Sequence, residues 1–69
     1  MIEMVGNVNL KIDCSRLSPQ AIHALAGVLG RYVDVVIAGG DLIFATGKVD
    51  SHVYTDIWRI LRGFDVDID

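Results

Sequence analysis

Cysteine, basic side chains and long apolar runs are scarce in this chain of 69 residues. A single cysteine excludes an internal disulfide and a zinc site built from several thiolates. Six lysines and arginines against nine acids leave a formal net charge of −3, which argues against direct nucleic-acid binding, because that needs a basic field. No apolar run approaches the roughly 18 residues of a membrane helix, and the first residues lack the basic segment of a signal peptide. We therefore expect a cytoplasmic protein with no membrane partner.

Apolar residues are abundant for so short a chain. They make up 52% of it, with a mean hydropathy of +0.46, which excludes disorder. A chain of this length forms one domain, residues 1–69, and buries only about 60% of its unfolded surface. Some apolar side chains should therefore stay outside the core, where self-association or a partner would cover them.

The outer thirds of the sequence contain two strands and two helices. Residues 2–14 alternate with a period of two, with Ile12 and Cys14 on the apolar side, and residues 64–69 alternate again, so both segments are predicted strands. Ser18-Pro19 begins the first helix, and Asp50 or Ser51 caps the second, which Gly63 ends. The buried stripes are Ile22, Leu25, Leu29 and Tyr32 in the first helix, and Val53, Ile57, Ile60, Leu61 and Phe64 from the second helix onward.

A hairpin is predicted in the middle of the chain. Residues 33–38 and 41–46 are rich in β-formers and flank Gly39-Gly40, which we interpret as a two-residue loop that pairs Ala38 with Asp41. Residues 46–48 then turn the chain. With this register Val33, Val35, Ile37, Leu42 and Phe44 face the core, and Asp34, Val36, Ala38, Asp41, Ile43 and Ala45 face outward.

The element order β-α-β-β-α-β predicts an α+β fold of ferredoxin-like type. Two right-handed crossovers give a four-stranded antiparallel sheet of order 4-1-3-2 with both helices on one face. ACT regulatory domains share this order and size. Their usual Asp-x-x-Gly ligand turn is replaced here by Asp13-Cys14-Ser15-Arg16, so the likeness extends to the fold alone.

Strand alternation concentrates acids on the helix-free face of the predicted sheet. Seven of the nine acids fall there with one base, Lys11, and the other bases fall on helices and loops. These acids are Glu3, Asp13, Asp34, Asp41, Asp65, Asp67 and Asp69. Such a face is common as plain solvated surface. With exposed β-branched residues among the acids, it is also suited to a basic partner.

We therefore expect a non-enzymatic interaction module or inhibitor that engages a basic protein surface. A nucleic-acid-binding protein is one such partner, by the mechanism that anti-CRISPR proteins use. The partner-binding residues are expected to be Asp34, Asp41, Asp65, Asp67 and Asp69 as charge, with Val36 and Ile43 as anchor. Homodimerisation through the edge strand 33–38 or through the helices stays open. An RNA-binding sheet is disfavoured, because both phenylalanines fall on the core side of an acidic sheet.

The alternative is an ACT-like, oligomeric regulatory domain that binds a small ligand between residues 15–18 and the Gly39-Gly40 loop. We expect no catalytic residue, metal or cofactor. Cys14 has core parity, His52 is predicted at the opposite end of the sheet from it, and no orienting acid is predicted beside His23. Tyr54 and Trp58 are expected to shield the flank between the helices rather than form an interface.

Overall fold

The computed structural model describes residues 5–68, and for Val5 the backbone alone. The predictions for Glu3 and Asp69 lie outside this range. Six elements follow one another along the chain, and none of the helices described is long and apolar enough to cross a membrane. They are β1 (Val5–Asp13), α1 (Pro19–Leu29), β2 (Asp34–Ala38), β3 (Leu42–Asp50), α2 (Ser51–Arg62) and β4 (Asp67–Ile68).

The four strands form one antiparallel sheet in the order β2-β3-β1-β4. This is the predicted order 4-1-3-2 counted from the opposite edge, so the small α+β domain is confirmed. The long central pair β1 and β3 runs in register from Val5 opposite Asp50 to Asp13 opposite Leu42. β2 lies at one edge beside β3, and β4 pairs with the end of β1, with Ile12 opposite Ile68.

Both helices cover the same face of the sheet. One cluster of buried side chains joins alternate residues of the central strands to the inner stripes of α1 and α2. Its members include Val8, Ile12, Ile43, Ala45, Val49, Ile22, Leu25, Leu29, Ile57 and Leu61. The predicted stripes are largely confirmed, although Tyr32 lies beyond α1 and is 39% exposed.

The helix ends follow local sequence signals. The Ser18 hydroxyl accepts from the Ala21 backbone N–H at 3.2 Å, and Pro19 occupies the first turn, as predicted. For α2 the Asp50 carboxylate accepts from the Val53 N–H at 2.8 Å, and Gly63 is the C-terminal cap. Because Asp50 is also the last residue of β3, the chain passes from strand to helix without a linker.

The hairpin loop between β2 and β3 is one residue longer than predicted. Ala38 pairs with Leu42, so the loop contains Gly39, Gly40 and Asp41, with both glycines at positive φ (64° and 83°). A shift of one residue moves every side chain of a strand to the other face. The prediction is therefore wrong for β3. Ile43 and Ala45 are fully buried against the helices, and Leu42 and Phe44 lie on the helix-free face.

β3 also continues through residues 46–48, which were predicted to turn. Pairing with the nine residues of β1 keeps this segment extended as far as Asp50. Gly47 faces the core, where a Cβ would lie 3.2 Å from Cγ1 of Val33. The absence of a side chain at Gly47 thus lets the chain entering β2 pack closely over β3.

Candidate functional site

The helix-free side of the sheet is the candidate site, and we name it the outer face. Strand pairing places the following residues on it: Asn7, Asn9, Lys11 and Asp13 from β1; Asp34, Val36 and Ala38 from β2; Leu42, Phe44, Thr46 and Lys48 from β3; and Asp67 from β4. Within residues 5–68 both helices pack on the opposite side. The outer face is consequently open to a partner.

Four apolar side chains meet on the outer face in the half of the β2–β3 pair next to the hairpin loop, and we name them the apolar block. Val36 lies opposite Phe44, and Ala38 lies opposite Leu42. Val36 is 61% exposed and the other three are half-buried although no helix covers them. Cross-strand neighbours have Cβ atoms about 4.5–5.5 Å apart, so the block is continuous. It supplies the apolar centre that a specific interface needs.

Several acidic groups lie near the apolar block. Asp34 lies next to Val36 on the outer face of β2, and Asp13 and Asp67 are opposite each other beside Leu42. Asp41 is exposed in the hairpin loop, and Asp65 is exposed just before β4. The placement predicted for Asp34 and Asp67 is thus correct. Asp69 lies outside the described residues.

Ile43 does not belong to this surface. Its side chain has no solvent exposure, because the longer hairpin loop turns it toward the helices. A partner cannot reach it, so the predicted anchor position is wrong. Phe44, the next residue along the strand, takes the place that Ile43 was expected to hold beside Val36.

Basic side chains moderate the acidic field more than predicted. Arg16 was predicted among the bases on helices and loops, away from the acidic face, but its guanidinium lies 3.3 Å from Oδ1 of Asp65 and 3.7 Å from Oδ2 of Asp67. The hydrogen bond to Asp65, with the nearby charge of Asp67, raises the pKa of Arg16 above its ordinary value. Lys48 joins Lys11 on the outer face because β3 is longer than expected. The outer face thus carries mixed charge: Lys11 lies directly opposite Phe44 in the apolar block, and Asp34 and Asp13 are the nearest carboxylates.

Asp13 is held by the chain that follows it. The Ser15 N–H donates to Oδ1 of Asp13 at 2.9 Å. This hydrogen bond lowers the pKa of the Asp13 carboxyl, because it stabilises the charged form. Asp13 therefore carries a negative charge beside Leu42 at neutral pH.

The two loops proposed for a small ligand are adjacent. The Cys14 N–H donates to the Asp41 carbonyl at 2.8 Å, which joins the end of β1 to the hairpin loop. The Cys14 side chain is fully buried, as predicted, and burial raises the pKa of its thiol. The thiol is thus kept in its protonated, weakly nucleophilic form.

A second surface with aromatic and basic groups lies on α2. Tyr54 and Trp58 form an edge-to-face pair with ring centroids 6.1 Å apart, and Tyr54 is 45% exposed. Trp58 is half-buried and packs against the core, in keeping with a shielding role. Arg59 and Arg62 complete an open groove of about 450 Å³ beside these rings.

Sequence reasoning missed Phe44 and Leu42. The segment Leu42-Ile43-Phe44 is apolar at every position, so alternation could not say which face each residue takes. The available signal was Asp41, a polar residue that suits a loop better than a strand end. Counting it in the loop would have reversed the parity of β3.

Comparison of the chain with protein-family models, curated proteins and solved structures returned no match. Among the described residues no group of three or more histidine, cysteine or acidic side chains is arranged to hold a metal ion. The functional argument therefore depends on the geometry and charge of the outer face.

Proposed function

We propose that this chain is a non-enzymatic protein-binding module that uses its outer face. The observation that carries the proposal is the pairing of Phe44 with the exposed Val36 on an uncovered sheet of ferredoxin-like type, with Asp34, Asp13 and Asp67 around them. An apolar centre within a polar rim is the usual anatomy of a specific interface.

Charge selects the class of partner. The carboxylates nearest the apolar block favour a surface rich in lysine or arginine, and they disfavour anionic partners. A nucleic-acid-binding protein carries such a surface, so occupying it would compete with nucleic acid. Because Arg16 partly offsets the charge of Asp65 and Asp67, we assign these acids a secondary role in steering and the apolar block the main share of the affinity.

The corrected hairpin register raises direct RNA binding as an alternative function that has to be tested. Phe44 is now an aromatic ring on an open sheet with Lys11 opposite it, a feature shared with RNA-binding sheets. The surrounding carboxylates of Asp34, Asp13 and Asp67 would repel phosphate. We therefore propose a basic protein as the partner, and binding to RNA is measured separately.

The experiment is capture from the source cells with four variants arranged as two matched pairs. Phe44→Ala removes the central ring, and Tyr54→Ala removes an exposed ring from α2. Asp67→Lys reverses a charge on the outer face, and Asp56→Lys makes the same change on α2. Bound protein is quantified after washes at low and high salt.

The proposal predicts a loss of affinity of about tenfold or more for Phe44→Ala, since central aromatic residues dominate interface energies. Asp67→Lys should weaken binding at low salt, with a smaller effect at high salt, because exposed charges are screened. Both α2 variants should bind as the unmodified chain does. Equal losses in the two members of either pair, or binding to single-stranded RNA that Phe44→Ala abolishes, would contradict the proposal.

An ACT-like ligand-binding role is the second candidate. The contact between Cys14 and Asp41 favours it, because it brings the two loops expected to hold a ligand together. Thermal unfolding in the presence of amino acids and nucleotides separates the two roles. A clear rise in melting temperature with one metabolite would favour the regulatory role.

A further inference from the structure

The edge strand β2 has the composition of an interior strand. Its sequence is Asp-Val-Val-Ile-Ala, so apolar residues point to both faces. Alternating polar residues are normal where a strand is covered on one side only, whereas near-continuous apolar runs belong to strands covered on both. Here Val36 is 61% exposed on the outer face, and Val35 and Ile37 are half-buried on the helix side.

Apart from the charge of Asp34 at its first position, β2 also lacks the devices that normally protect a sheet edge. Edges are blunted by lysine, proline, bulges or very short strands. β2 has five paired residues with no lysine and no proline, and it pairs without interruption from Asp34 to Ala38. At the other edge, the described part of β4 is two residues long, begins with Asp67, which Arg16 contacts, and leaves residues 5–11 of β1 unpaired on that side. This open part of β1 carries Lys11 and two asparagines, so within the described part of the chain the β2 edge is the more apolar of the two and the better suited to accept another strand.

We propose that β2 pairs with β2 of a second copy of this chain, antiparallel and centred on Val36, to form a continuous eight-stranded sheet. The inference does not depend on the proposed function, because it concerns the edge of the sheet and needs no other protein.

The register follows from parity and charge. In an antiparallel pair opposite residues share a face, and a two-fold axis at Val36 satisfies this rule. Val36 then meets Val36 of the second copy, Val35 meets Ile37, and Asp34 meets Ala38. No like charges face each other, and the two apolar blocks become one apolar stripe across the dimer.

The ends of the strand supply complementary charge. Arg31 lies in the turn that enters β2, and Asp41 lies in the hairpin loop that leaves it. The two-fold axis therefore places each Arg31 at the same end of the interface as Asp41 of the second copy. Both side chains are exposed, and neither forms an ion pair within residues 5–68. This complementarity is the reason for assigning the edge to a second copy.

Cysteine cross-linking tests the register directly. Opposite residues of an antiparallel pair have Cα atoms about 4.5–5.5 Å apart, within the range of a disulfide. Val36→Cys should thus form a cross-linked dimer under mild oxidation. Asp34→Cys and Ala38→Cys should not cross-link alone, because each pair of identical residues lies about 14 Å apart along the strands. A mixture of these two variants should cross-link, and the unmodified chain, whose sole thiol Cys14 is buried, is the blank.

Sedimentation equilibrium of the purified chain measures the association itself. The unmodified chain should be a dimer, and Val36→Lys should be a folded monomer, while Asn9→Lys adds the same charge away from the edge and should stay dimeric. Arg31→Glu should weaken the dimer about tenfold, since two charge pairs become repulsive, and Arg31→Glu with Asp41→Arg should restore it.

Three results would overturn the inference. The unmodified chain could remain monomeric at the concentrations used for NMR spectroscopy. The double charge exchange could fail to restore a dimer that Arg31→Glu weakens. Phe44→Cys could cross-link as readily as Val36→Cys, which would mean that the outer faces, rather than the edges, meet.

Discussion

The parity of β3 makes the sharpest prediction about stability, because it gives neighbouring residues opposite roles. Ile43 is fully buried between the sheet and the helices, whereas Phe44 is half-buried on the outer face. Truncating a buried isoleucine to alanine typically costs 2–5 kcal/mol, because transfer energy is lost and a cavity remains. A domain of 69 residues has a total unfolding free energy of about 3–10 kcal/mol. Ile43→Ala should therefore remove a large part of the stability.

The companion variants make the experiment quantitative. Ile43→Val removes one methyl group and should cost about 1 kcal/mol, which lowers the melting temperature of so small a domain by about 4–8 °C. Phe44→Ala, on the open face, should cost about 1–2 kcal/mol, since its ring is only partly buried. Urea and thermal unfolding followed by circular dichroism measure all three. A larger loss for Phe44→Ala than for Ile43→Ala would refute the register and with it the apolar block.

Three further predictions concern the frame that holds the outer face. Gly47→Ala should destabilise the domain by about 1–3 kcal/mol, because the new Cβ meets Val33, whereas Gly27→Ala in the open middle of α1 should stabilise it by about 1 kcal/mol; equal effects would contradict the close packing at Gly47. Asp50→Ala should cost about 1 kcal/mol by removing the cap of α2, measured by urea unfolding, and Ser51→Ala should cost less. The pKa of Asp13 is lower in the folded chain than its ordinary value of 3.8, so its ionised form stabilises the fold above pH 3.8. This stabilisation is lost as the pH falls through the folded-state pKa. The free energy of unfolding of Asp13→Asn should therefore depend less on pH in the acid range than that of the unmodified chain.

Local sequence signals predicted most of the helices, strands and strand order. The alternation of β1 and the Ser18-Pro19 start of α1 depend on neighbouring residues alone, and both are as expected. The strand order followed from the sequence of elements and the handedness of their connections. These features needed no knowledge of contacts between distant residues.

The hairpin register could not be predicted in the same way. Val35-Val36-Ile37 and Leu42-Ile43-Phe44 are apolar on both faces, so burial could not distinguish a two-residue loop from a three-residue loop. The extension of β3 to Asp50 depends on its pairing with Val5 at the far end of β1. Such pairing is visible only in the folded chain.

The predicted positions of two basic side chains were wrong for a related reason. Arg16 precedes Asp65 by 49 positions in the sequence, and only the docking of β4 beside β1 brings them together. Lys48 lies on the outer face because β3 continues past Thr46, where the sequence had predicted a turn. Asp13, Asp34, Asp67 and Lys11 thus lie on the outer face as predicted, whereas Asp41 and Asp65 lie in segments outside the strands, and Arg16 and Lys48 were misplaced.

One measurement tests the central claim that the outer face is the binding surface. Chemical-shift changes are recorded on the isotope-labelled chain as the captured partner is added in increasing amounts. We predict that the largest changes fall on Val36, Leu42, Phe44 and Lys11, with the amides of α2 little affected. Changes confined to Tyr54, Trp58 and Arg62, with the outer face undisturbed, would contradict the claim.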